Sequence, residues 1–255
     1  MCGDGCDGAD APVEPLAEVG GQAESWRLRL AEVLFIVVLI VALPVLPRAW
    51  MYEWFNVSSE RGASLVYTAG NLVLAVGAAV VLLGPRRERW AAAGLSAKRM
   101  GQQLGEAVWV ALCAHAVTLC TLLLLGVWSM GGRAAGDGTW GGEGLRRAER
   151  LADGSELGGV LVMFALGAIC EELLFRGLLL HSLAGLTRDP WIAILGSSLL
   201  FALSHWGLGD QNVFVALWLG LVLGTAYVRS GSLLTVVAAH FLFNASGHVV
   251  FVATG

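Results

Sequence analysis

Charge is scarce in this chain. Only 14% of its 255 residues are charged, 56% are hydrophobic, and the mean hydropathy is +0.70. That balance excludes an ordinary soluble domain and fits a polytopic membrane protein; it leaves the lipid bilayer, and not nucleic acid, as the surrounding partner. Cysteine is also sparse, with five residues, so no disulfide framework is implied. Cys113, Cys120 and Cys170 lie in apolar runs and read as small core hydrophobes. Cys2 and Cys6, even with the aspartates near them, are too few to define a metal site. Basic residues are missing from the first 26 positions, where six acids stand: Asp4, Asp7, Asp10, Glu14, Glu18 and Glu24. Without a basic n-region this stretch is not read as a signal peptide, but as a disordered acidic tail. Internal repeats and paired broken helices, the marks of a transporter, are absent.

What is abundant is long apolar sequence. A membrane helix needs about 20 such residues. By that rule seven spans are expected: Leu28–Leu46, Ala63–Leu83, Gly105–Val127, Leu157–Leu180, Trp191–His205, Val213–Val228 and Leu233–Val252. The fold class is therefore all-α, a polytopic transmembrane helix bundle of about seven to eight spans, the eighth element falling within 128–156. In that connection 131–144 reads as a Gly-rich loop and 145–156 as a short amphipathic helix. Three parts are expected: the tail 1–26, N-terminal spans and loops over 27–150, and a catalytic core over 151–252. Trp26, Trp50, Trp54, Trp90, Trp128, Trp191 and Trp206 fall near span ends, as an aromatic belt requires. Asp189-Pro190 reads as a helix start with its N-cap, and Pro44 and Pro47 as the end of span one. Gly220-x-x-x-Gly224 permits close helix packing. With the N-terminus inside, inner segments hold nine basic residues and outer segments six, which favours that orientation. The Gly- and Ala-rich composition points to a bacterial inner membrane.

Polar residues inside these spans carry the chemistry. Glu171 and Glu172 lie in span four with Arg176 one turn further on. Intramembrane ionisable residues mark functional sites by default. Glu172 and Arg176 stand in the favourable order for a helical ion pair, which leaves Glu171 in need of a partner from another span. His205 and a carboxylate together can hold a water and take its proton. His240 and Asn244 share one helix face, where two N–H donors suit an oxyanion hole; interhelical hydrogen bonding is the plainer alternative. Phe201 is expected beneath the site. His115 and His181 have no motif context, and His248 reads as interfacial. If span four runs inward, Glu171 lies in its cytoplasmic half while His205, late in span five, falls toward the outside; tilted helices or a deeper start of span five would close this mismatch, on the order of 10 Å. Zinc held by Glu171, His205 and His240 is an alternative to a metal-free site. A Cys170 nucleophile is disfavoured, since it points about 100° away from Glu171 around the helix.

Together the three patterns, Glu171-Glu172-Leu-Leu-Phe-Arg176, Phe201-Ala-Leu-Ser-His205 and His240-Phe-Leu-Phe-Asn244, resemble the CPBP family of intramembrane proteases, also called the Abi or type II CAAX prenyl protease family. Gly231-Ser-Leu-Leu before His240 looks similar as well. The resemblance covers roughly 155–250 and implies a glutamic-type endopeptidase without a cofactor. It further implies that Glu171 and His205 activate water, that His240 and Asn244 stabilise the oxyanion, and that Glu172 and Arg176 organise the site. The implied partner is a membrane-anchored protein or peptide; prenylated proteins, sorting tails and bacteriocin-type peptides all remain open. A transport protein, or a non-catalytic immunity or scaffold factor, is the competing class.

Overall fold

The computed structural model describes residues 26–54, 60–84, 94, 100–131, 157–206 and 210–254. Every described element is helical. In chain order they are α1 (Trp26–Trp54), α2 (Glu60–Leu83), α3 (Met100–Gly131), α4 (Leu157–Glu172), a π-helical segment (Leu173–Leu180), α5 (His181–Thr187), α6 (Pro190–Ser204), α7 (Asp210–Ser230) and α8 (Leu233–Thr254). Three stretches are long and apolar enough to cross a bilayer: Met100–Thr121, Gly158–Thr187 and Asn212–Ser230. Each of the seven expected spans corresponds to a helix. The expected loop and amphipathic helix over 131–156, and the tail with Cys2 and Cys6, lie largely outside the described residues.

The bundle packs small residues inward and large apolar ones outward. On α2, Ala75, Ala78 and Ala79 are buried while Val73 and Val81 are more than 70% exposed. On α3, Ala107, Ala111 and Ala114 are buried while Val108, Trp109 and Leu112 face out. Exposed valine and tryptophan at this density would be costly against water. Against lipid they cost nothing, and small inward residues let backbones approach. The chain is thus an integral membrane bundle.

Two boundaries differ from expectation. α1 runs through Pro44 and Pro47 to Trp54 and does not stop at them; prolines are tolerated in membrane helices where neighbouring groups take up the freed backbone bond. Span four does not end at Leu180. It continues through the π segment and α5 to Thr187, where Arg188 adopts a left-handed conformation (φ 57°) and its N–H bonds to the Ala184 carbonyl. Asp189 then caps α6, its Oδ1 accepting from the N–H groups of Trp191 (2.8 Å) and Ile192 (3.2 Å), with Pro190 at the first helical position.

This longer helix removes the depth mismatch. Glu172 lies 16 residues before Arg188, and His205 lies 16 residues after Asp189. At 1.5 Å per residue each is about 24 Å from the turn, so the hairpin returns His205 to the level of the glutamates. α7 runs antiparallel to α6. A Cβ on Gly220 would stand 2.9 Å from Ser198 Cβ, and one on Gly224 would stand 3.2 Å from Ile194 Cγ2. The Gly-x-x-x-Gly pair is therefore the seam of the α6–α7 contact. Gly220 and His240 flank the Gly231 turn at similar distances, so α8 brings His240 back to the same level. All eight residues of the π segment are buried, and it packs against α1, α2, α6, α7 and α8 as the central strut.

Candidate active site

The site is built around one carboxylate oxygen. Glu172 Oε1 accepts from Arg176 Nη1 at 2.8 Å and from His240 Nδ1 at 2.7 Å. Glu172 and Arg176 are 0% and 1% exposed. Two full charges so deeply buried persist only when paired and hydrogen-bonded. Arg176 gains two further contacts. Its Nη2 donates to the Gly220 carbonyl at 3.4 Å, and its guanidinium lies 4.7 Å from the centre of the Phe201 ring.

Phe201 is the hub that joins the three motif segments. Its ring meets Phe175 at 5.0 Å, His205 at 4.8 Å and His240 at 6.0 Å, each nearly edge-on. Edge-to-face packing of this kind fixes ring orientation as well as position. Phe201 is fully buried beneath the polar groups.

Glu171 differs from its neighbour. Its side chain is 35% exposed, and its nearest charged partner is His240 Nε2 at 3.8 Å. His240 therefore stands between the two glutamates, with one ring nitrogen toward each. Because Nδ1 faces a carboxylate, it carries a proton, and Nε2 is the nitrogen directed at Glu171 and the open side. His205 follows the same logic. Its Nδ1 lies 2.9 Å from the Phe201 carbonyl, which only accepts, so Nδ1 is the N–H and Nε2 carries the lone pair in the neutral ring. Ser204 Oγ, 3.2 Å from that Nδ1, adds a second tether. The π segment beginning at Leu173 directly follows the glutamate pair; π-helical geometry is rare and recurs at functional sites.

Asn244 lies one turn beyond His240 on α8, half-buried, and its side chain has no hydrogen bond among the described residues. Its amide is available to a ligand. His248, expected at the interface, is instead buried and packs edge-on against Phe164 at 5.7 Å. His115, without motif context, joins α3 to α8: its Nδ1 donates to the Ala111 carbonyl at 2.8 Å, and its Nε2 lies 3.0 Å from Ser246 Oγ. Cys170 is buried in the core and takes no part.

Three contributors escaped the sequence. Phe175 is one more phenylalanine in an apolar run. The Gly220 carbonyl is a backbone group, and the Gly-x-x-x-Gly signal pointed only to packing. Ser204 adjoins a motif histidine, which was a readable hint. As for zinc, no three histidine, cysteine or carboxylate side chains converge as ligands among the described residues, and Glu172 Oε1 is already taken by Arg176 and His240.

Residues 153–246, or 94 of the 255, match the family described as Type II CAAX prenyl endopeptidase, Rce1-like. No similarity to a curated protein or to a solved structure was found.

Proposed function

From the match of residues 153–246 to the Rce1-like type II CAAX prenyl endopeptidase family, we propose that this chain hydrolyses a peptide bond of a membrane-associated protein, using water activated by side chains within the bilayer. The observation that carries the reading is the placement of His240 between Glu171 and Glu172, with the rings of His205 and His240 both set against Phe201.

In this mechanism Glu171 is the general base, because it is the accessible carboxylate of the pair. His205 presents an Nε2 lone pair fixed by its Nδ1 tether and helps to draw the proton from water. The hydroxide adds to the scissile carbonyl carbon, and the electron pair moves to the carbonyl oxygen. His240, with Nε2 protonated, and the unbonded amide of Asn244 donate to that oxyanion. Collapse of the tetrahedral species breaks the C–N bond, and the leaving amine takes the proton held at Glu171. Glu172 and Arg176 do no bond-making; Glu172 accepts from His240 Nδ1 and so holds the ring in one orientation, with the Nε2–H toward the open side. No covalent enzyme intermediate is needed.

The family supports a CAAX-type substrate, a protein whose prenylated cysteine lies a few residues from its C-terminus. The proposed setting is a bacterial inner membrane with the N-terminus inside. The end of the bundle where α1 begins and the 188–189 and 231–232 turns lie carries Arg27, Arg29, Arg188 and Arg229, which supports the N-inside orientation. The test is the reconstituted chain in liposomes with a farnesylated CAAX-type peptide, read by release of the C-terminal tripeptide. Release by the native chain and its loss in Glu171→Ala is expected. Undiminished release by Glu171→Ala would overturn the mechanism, and no release by the native chain would overturn the prenylated substrate class.

A further inference from the structure

A concavity lies away from the proposed catalytic groups, between α3, α7 and the start of α8. It encloses about 750 Å³. Its walls divide by chemistry. From Glu106 to Val117 on α3, and from Arg229 to Trp218 on α7, the lining passes from polar to apolar, ending among Val117, Trp218 and Leu221. The polar end lies beside the Ser230–Gly231 turn, at the membrane face where α7 ends. The 11 residues from Glu106 to Val117 span about 16 Å, which is about half of a ~30 Å hydrocarbon core. The groove is thus as deep as one leaflet and is graded in the same sense.

Its polar end is incompletely satisfied. Thr235 is 1% exposed, yet its Oγ1 has no hydrogen-bond partner among the described residues. Arg229 makes no ion pair among the described residues. Glu106 accepts only from Gln102, through Oε1 at 2.9 Å, and no cation meets it there. A base and an acid thus stand on facing walls without meeting each other, beside a buried hydroxyl with no acceptor.

We propose that this groove is a binding site for one zwitterionic membrane phospholipid of the phosphatidylethanolamine type. The phosphate pairs with Arg229, the ammonium with the free oxygen of Glu106, and Thr235 donates to a phosphate or ester oxygen. One acyl chain lies along Trp109, Val110 and Val222 toward Trp218. A purely anionic head would satisfy Arg229 and be repelled by Glu106. A neutral chain without a head would leave all three polar groups unmet.

The test is native mass spectrometry of the delipidated full chain in detergent, titrated separately with phosphatidylethanolamine and phosphatidylglycerol of identical acyl chains. The native chain is expected to retain one phosphatidylethanolamine, favoured about fivefold over phosphatidylglycerol, the ratio that a single exposed charge pair supports. Ala226→Trp fills the groove and should abolish the 1:1 adduct. Glu106→Lys, on a partly exposed helix face, should reverse the head-group preference. Equal retention of the two lipids by the native chain, an unchanged adduct in Ala226→Trp, or an unchanged preference in Glu106→Lys would each overturn the proposal. None of these readouts depends on proteolysis.

Discussion

Glu171 and Glu172 are adjacent and chemically identical, yet replacing each by glutamine should have very unequal consequences for stability. Glu172 is wholly buried, and one of its oxygens takes both Arg176 and His240 at 2.7–2.8 Å. Glu172→Gln keeps the shape and removes the charge, leaving the Arg176 guanidinium buried without its counter-ion. Breaking a buried pair from one side costs about 3–5 kcal/mol. The Gly220 carbonyl and the Phe201 ring retain part of the arginine's interaction, which places the expected loss at the lower end, about 3 kcal/mol. Glu171 is 35% exposed and its ion-pair partner, His240 Nε2, is 3.8 Å away, so Glu171→Gln should change stability by less than about 0.5 kcal/mol. Reversible unfolding in mixed micelles, followed by circular dichroism, measures both. Adding Arg176→Met to Glu172→Gln removes the stranded charge, and the double variant should be less destabilised than the sum of the single variants by about 1–3 kcal/mol. If Glu172→Gln is as stable as Glu171→Gln, the buried triad is not what holds the site together, and the positioning role assigned to it fails.

Other substitutions test other parts of the account. Asn244→Ala removes one proposed oxyanion donor, and kcat should fall about 10²–10³-fold with KM little changed; an equal loss in substrate affinity would argue for a binding role instead. Gly220→Ala puts a methyl group 2.9 Å from Ser198 Cβ, and forcing α6 from α7 should cost about 1–3 kcal/mol, seen as a lowered unfolding midpoint. Arg188 holds a left-handed conformation at φ 57°, so Arg188→Gly should stabilise the chain by about 0.5–1 kcal/mol, seen as a raised unfolding midpoint. Activity of the reconstituted chain should survive a zinc chelator, and loss restored by added zinc would reinstate the metal-dependent reading.

The sequence made the helices readable because membrane spans announce themselves by length and composition. It also made the Glu172–Arg176 pair readable, since four-residue spacing on a helix is a local property. Depth was harder. The apparent misplacement of His205 came from ending span four at Leu180, where the apolar run gives way to His181 and Ser182, although the helix continues to Thr187. Nothing in Leu173–Leu180 announces a π-helix, because eight consecutive residues that are mostly leucine suit α and π geometry equally. His240 was read with Asn244 as an oxyanion donor, and its Nδ1 bond to Glu172, 68 positions away, depends on tertiary packing that no local pattern encodes.

The most direct test is a comparison of protein termini in membranes from cells carrying the native chain and from cells carrying Glu171→Ala at equal abundance, with the variant shown to be folded and inserted. The account predicts a set of new C-termini on membrane-associated proteins that is present with the native chain and absent with the variant. Identical termini in the two samples would contradict it and favour a transport or scaffold role for the same buried groups.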